Sequence, residues 1–132
     1  MNLLAIDPSW AHGYAYAYFS GKELKKAKPC TIYTLAIFIQ TDVVVVIEEP
    51  YLGKNPDTFR KLCYSVGKVL YLCDVHERRV EYVQPRHWKP YYNLPKKNKR
   101  RELKVKQKLT GYKDDDVCDA ILIGKYYLEK KI

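Results

Sequence analysis

No apolar run in this sequence approaches the roughly 20 residues that a membrane span requires; the all-β-branched segment from Val43 to Ile47 is typical of what is present. The amino terminus has no basic segment followed by a signal-type apolar stretch, so the chain is expected to stay in the cytoplasm where it is made, with no membrane partner. Cys30, Cys63, Cys73 and Cys118 are widely separated, form no C-x-x-C pair and sit within apolar patterns. That spacing speaks against a disulfide framework or a zinc cage and predicts reduced core thiols. Internal repeats, linkers and low-complexity tails are absent too, so residues 1–132 read as one domain with one core. With 47% apolar and 30% charged residues, the composition is that of a globular protein and not of a disordered one.

Acid is also scarce, with 15 Asp and Glu against 24 Lys and Arg, for a formal net charge of +9 at pH 7. The excess is localised. From Arg86 to Lys108 there are ten Lys or Arg residues and one acid, Glu102. Such a stretch predicts a polyanionic partner, and the interleaved Trp88, Tyr91 and Tyr92 predict a surface for phosphates and bases rather than a merely solvated lysine helix.

The apolar pattern is organised as strands followed by alternating helices and strands. Leu3 to Ile6 is a buried strand that ends in Asp7-Pro8. Gly13 to Phe19 alternates tyrosine with alanine, and Ser20-Gly21 turns the chain into a short third strand near Glu23 to Lys28. Thr31 can cap a helix through about Gln40, and Val43 to Ile47 then reads as a central strand ending in Glu48-Glu49-Pro50. Asn55-Pro56 starts a helix whose apolar residues keep helical spacing to about Val75, and Arg79 to Val83 is a further strand. A helix from about Lys99 to Leu109 closes at Gly111, and a last helix runs from the aspartates to about Lys130. The order β-β-β-α-β-α-β-α-α predicts an α/β fold, a mixed five-stranded sheet with helices on both faces.

Against the basic background, the few acids are concentrated. Asp114, Asp115, Asp116 and Asp119 fall within six positions ahead of an apolar helix. Asp114 and Asp115 suit the cap and first turn, where backbone N–H groups and the helix dipole favour carboxylates. Asp119 lies a turn inside and gains little from either, but it shares a helix face with Asp116. Asp7 and the Glu48-Glu49 pair end the first and fourth strands, where ligands of open sheets gather. Successive strand side chains alternate in direction, so only one of the two glutamates can converge on Asp7. Four carboxylates from three elements repel one another unless cations lie between them, and a hard-oxygen donor set suits Mg2+ or Mn2+. Two such ions roughly 4 Å apart activate water and stabilise a leaving oxygen in phosphodiester hydrolysis.

L-L-A-I-D-P at Leu3 to Pro8, the following G-Y-A ending at Ala15, V-I-E-E-P-Y-L-G-K-N at Val46 to Asn55 and D-V-C-D-A-I at Asp116 to Ile121 resemble the RuvC-type Holliday junction resolvases of the RNase H-like superfamily. The resemblance covers most of the chain. The turn after Asp7 is shorter than the family's and has Ser9-Trp10 in place of an early glycine, and the segment from Thr31 to Thr41 is short. These features suggest a trimmed relative at home in a bacterial or phage-infected cell.

The resemblance implies that Asp7, Glu48, Asp116 and Asp119 hold two Mg2+ ions, with Mn2+ as substitute, and it selects Glu48 over Glu49. It places Tyr51 near the junction centre and Lys54 and Asn55 in a DNA-facing loop. Lys89 and Lys99 match basic residues near the scissile phosphate, and Arg86, Lys96, Lys97, Arg100 and Arg101 are expected to add phosphate contacts. The implied activity is that of a homodimer that resolves four-way DNA junctions by paired, metal-dependent hydrolysis, leaving 5′-phosphate and 3′-hydroxyl ends. Residues Tyr64, Val66, Lys68 and Tyr71 are the expected dimer face. Two rival expectations are a YqgF-like or RNase H-like nuclease acting on RNA or an RNA–DNA hybrid, and a non-catalytic DNA-binding module.

Overall fold

The computed structural model describes residues 1–10, 12–53 and 55–130. Its strands are β1 (Asn2–Pro8), β2 (Tyr14–Ser20), β3 (Glu23–Cys30), β4 (Val44–Glu48) and β5 (Val80–Val83). Its helices are α1 (Ile32–Ile39), α2 (Pro56–Val75), α3 (Pro85–Tyr91), α4 (Lys99–Thr110) and α5 (Asp115–Lys130). The strands form one sheet in the order β3-β2-β1-β4-β5, an antiparallel meander to which β4 and β5 are added in parallel. This is the α/β architecture expected from the sequence, with one helix more than expected.

That extra helix, α3, begins and nearly ends with proline. Pro85 takes the first helical position, where a missing N–H costs nothing, and Pro90 sits in the last turn. Two prolines in seven residues disguise the helix in the sequence. It turns Trp88 into the core, with no solvent exposure, so the tryptophan is not part of a base-binding surface as expected; Tyr92 is half-buried beside it, and Tyr91 stays outside, donating to Glu129 Oε2 at 2.5 Å.

Strand alternation divides the core in two. Leu3, Ala5 and Val46 face α5, where Val117, Ala120, Ile121 and Leu128 cover them. Leu4, Ile6, Val45 and Ile47 face α1 and α2, where Leu35, Ile39, Val66 and Val69 cover them. Helix α5 lies very close to the sheet at Gly124: a Cβ there would stand 2.3 Å from Phe19 Cε1 and 3.0 Å from the Ala5 Cβ. Asn55 caps α2 by accepting from the backbone N–H groups of Asp57 and Thr58, and Gly111 ends α4 with φ of 79°, in the left-handed region.

Two further expectations fail on burial. Cys63 is exposed and Cys30 half-buried, so only Cys73 and Cys118 are core thiols, because Cys63 falls on the outer side of α2. Val66 is buried against the sheet and cannot belong to an outward dimer face. No helix among the described residues is long and apolar enough to cross a membrane.

Candidate active site

Parallel pairing of β1 with β4 sets Ala5 beside Val46 and Ile6 beside Ile47, so one step further along the strands Asp7 comes beside Glu48. Both continue the alternation of Ala5 and Val46 and therefore emerge on the α5 side of the sheet. Glu49, one residue on, is turned away; its Oε2 accepts from Gln84 Nε2 at 2.9 Å.

Helix α5 brings its first turns to the same strand ends. Asp114 precedes it and accepts from the Val117 N–H at 3.1 Å, which satisfies one of the orphan donors of the helix start. Asp116 and Asp119 project from one face toward Asp7. One carboxylate oxygen from each of Asp7, Asp116 and Asp119 lies within 4.8 Å of the other two. Asp7 is 6% exposed, and Asp116 is the most open of the three. His12, in the turn after β1, stands 3.7 Å from Asp116 at the mouth of the cluster. Glu48 is not in this set of three; its Oε2 accepts from the buried Trp88 Nε1 at 2.8 Å.

The electrostatics are those of a crowded anionic hole. Burial, reinforced by Asp119, Glu48 and Asp116, pushes the Asp7 carboxyl well above the ordinary range. Burial pushes Asp119 up to about 7 despite the opposing Lys106, and burial followed by Asp114 raises Asp116. Glu48 is raised by burial, with the Trp88 hydrogen bond and then Lys89 and Lys106 working against the rise. Three converging hard oxygen donors whose ionisation is opposed by burial and by one another fit a divalent cation of the magnesium type.

Lys106 is the residue that sequence reasoning missed. It is 3% exposed, and its Nζ stands 2.6 Å from Asp115, 2.8 Å from Asp119 and 3.9 Å from Glu102. Burial works against its charge, but Asp119 and Asp115 outweigh that penalty and raise its pKa. Lys89 is the nearest basic residue from the expected set. Its Nζ is 3.3 Å from Glu102 and lies over the Trp88 ring, and its charge is felt at Glu48.

Arg86, Lys89 and Lys96 line a groove of about 620 Å³ together with Tyr51, Glu49 and Gln84. Tyr51 is largely exposed in the loop after β4. Asn55 uses its side-chain oxygen as the α2 cap, and Lys54 lies outside the described residues. Lys97, Lys99, Arg100 and Arg101 are exposed at the start of α4 and in the turn before it, away from the carboxylates' own hydrogen bonds.

No family model matches the sequence, and no curated protein matches it. Solved structures do. Thermus thermophilus RuvC in complex with a Holliday junction substrate superposes with a TM-score of 0.68 at 14% identity, over 98% of this chain and 96% of that one. A second structure of Thermus thermophilus RuvC superposes with a TM-score of 0.62 at 16% identity, over 99% and 97%. Over nearly its whole length this chain has the RuvC fold, the RNase H-like architecture that its strand and helix order points to.

Proposed function

We propose that the protein is a structure-selective DNA endonuclease that resolves four-way junctions. The observation that carries this reading is the convergence of Asp7, Asp116 and Asp119, with Glu48 beside them, at the strand ends of a RuvC fold, next to a groove walled by Arg86, Lys89 and Lys96. Bound Mg2+, or Mn2+ in its place, supplies an activated water and neutralises charge on the phosphate. Asp7, Asp116 and Asp119 hold it, and Glu48 completes the acidic wall.

The remaining residues bind and orient the substrate. Lys89, anchored on Glu102 and Trp88, is poised to steady the scissile phosphate, and Lys99 approaches the same strand from the head of α4. Arg86, Lys96, Lys97, Arg100 and Arg101 add salt-sensitive affinity for the backbone. Tyr51 offers a ring for stacking on unpaired bases at the crossover, worth about 1–3 kcal/mol per base. Lys54 and Asn55 are the further DNA contacts that the resemblance implies. Hydrolysis on this plan leaves 5′-phosphate and 3′-hydroxyl ends.

A two-fold substrate calls for a two-fold enzyme, and we assign the dimer contact to the outer side of α1 and α2. There Tyr33, Tyr64 and Tyr71 are exposed around a shallow cavity lined also by Gly67 and Lys68. Sedimentation equilibrium should give a dimer mass, and a monomer mass at junction-binding concentrations would refute this part.

The test of the activity is a Mg2+-dependent assay on a labelled, immobile four-way junction beside linear duplex, flap and RNA–DNA hybrid. Two symmetric nicks confined to the junction are expected. Cleavage of the hybrid without the junction would replace this reading with an RNase H-like one. Asp7→Asn is expected to abolish nicking while leaving junction binding intact; unchanged DNA processing in that variant would mark a non-catalytic module.

A further inference from the structure

A lysine with almost no solvent exposure among carboxylates that are themselves short of counter-charge is an expensive arrangement, and it stays intact only when every partner is close. Lys106 meets that condition on one side of the site only. Its Nζ engages Asp119 Oδ1 and Asp115 Oδ1, and its field reaches Glu48, whose Oε2 is already held by Trp88. Among the described residues, Asp7 and Asp116 receive no lysine or arginine contact, and only the exposed His12 imidazole stands near Asp116, at 3.7 Å. Among the described residues the anionic hole is therefore asymmetric: the Glu48–Asp119 side has a buried built-in cation, and the Asp7–Asp116 side has only the exposed His12 imidazole at its mouth.

We propose that the Lys106 ammonium takes the place of a second metal ion, so that the centre binds one divalent cation tightly, on Asp7, Asp116 and the free oxygen of Asp119. This rests on the metal-dependent reading above and specifies how many ions it involves. The ammonium keeps Asp119 aimed at the cluster through Oδ1, and it leaves the Glu48 side with too little negative charge to hold a second ion against it. Lys106 is thus a positioning residue. It acts on the phosphate only through Asp119 and the ion.

The experiment is a titration of the metal-free, full-length protein with Mn2+ in the absence of DNA, with free Mn2+ counted by its electron paramagnetic resonance signal. One tight equivalent per chain is expected. In Lys106→Met, which keeps the length and removes the charge, a second equivalent should bind at least roughly tenfold more tightly than in the wild type. Lys106→Arg should restore the single equivalent. Two tight ions in the wild type would overturn the proposal and leave the nuclease reading standing. So would an unchanged ion count and affinity in a folded Lys106→Met. No bound Mn2+ at all would overturn both. If Lys106→Met does not fold, the wild-type count decides alone.

Discussion

Trp88 donates its indole N–H to Glu48 Oε2 over 2.8 Å from a position with no solvent exposure. The bond ties α3 to the end of β4, so the short helix that carries Lys89 is registered against the acidic wall by one interaction. Trp88→Phe keeps an aromatic ring in the core and removes only the donor. A buried carboxylate then loses its partner, which costs about 1–3 kcal/mol. The variant should unfold at correspondingly lower urea concentration, and it should lose junction nicking by a larger factor than junction binding. Wild-type values for both nicking and stability would show that the bond fixes nothing.

The Asp7–Glu48 pair illustrates what was readable in the sequence and what was not. Two apolar strands ending in acid, and a helix starting in acid, are local patterns, and the side-chain alternation of strands limits the choice to one of two glutamates. The register of β1 on β4 is a long-range fact, and it is the register that places Glu48 on the α5 side. Lys106 was hidden for a related reason. It sits in a helix with Lys99, Arg100, Arg101, Lys104 and Lys108, and nothing local separates a buried lysine from its solvated neighbours. The faint signal is its placement four residues after Glu102 and four before Thr110, a face that the packing of α4 on α5 turns inward. Trp88 was misread because prolines at both ends of α3 look like loop chemistry.

The raised carboxyls make the metal-free protein sensitive to pH in a defined direction. Asp7 and Asp119 hold their protons in the folded state to higher pH than in the unfolded chain, Asp119 to about 7, so their contribution to stability is fully present below about pH 4. It is lost as pH rises through the folded-state values, because ionising these groups then costs more in the fold than out of it. The melting temperature of the metal-free protein should carry a component that falls between about pH 4 and 7, and Asp7→Asn should flatten that component. Mg2+ at one hundred times its dissociation constant should restore about 2.7 kcal/mol near neutral pH and much less at pH 5. A metal-induced shift that does not change with pH would contradict this origin.

Gly124→Ala tests the seat of α5 on the sheet. The added methyl would meet Phe19 at 2.3 Å and Ala5 at 3.0 Å, and Phe19 is fully buried. Overpacking of this kind typically costs about 1–3 kcal/mol. Because α5 carries Asp116 and Asp119, relief by sliding the helix would also move both acids relative to Asp7. The expected outcome is a lower melting temperature together with weaker Mn2+ binding, measured on the same preparation. Lower stability with unaltered Mn2+ affinity would mean that Phe19 yields instead of the helix.

The groove beside Glu48 should reveal itself through salt. Arg86 and Lys96 line it, and neither touches the carboxylates of the Asp7–Asp116–Asp119 set. Arg86 donates through Nε to Gln84 Oε1 at 2.5 Å, and Gln84 in turn donates to Glu49, so the guanidinium is oriented along the groove wall. If both residues contact phosphates, changing both to alanine removes two ionic contacts, each of which contributes about 0.9 to the slope of log binding constant against log salt on duplex DNA. The double variant should bind the junction more weakly at low salt, with a slope shallower by about 2, and its Mn2+ count should match the wild type. An unchanged slope would place the junction arms elsewhere, leaving the exposed cations Lys97, Arg100 and Arg101 around the start of α4 as the alternative track.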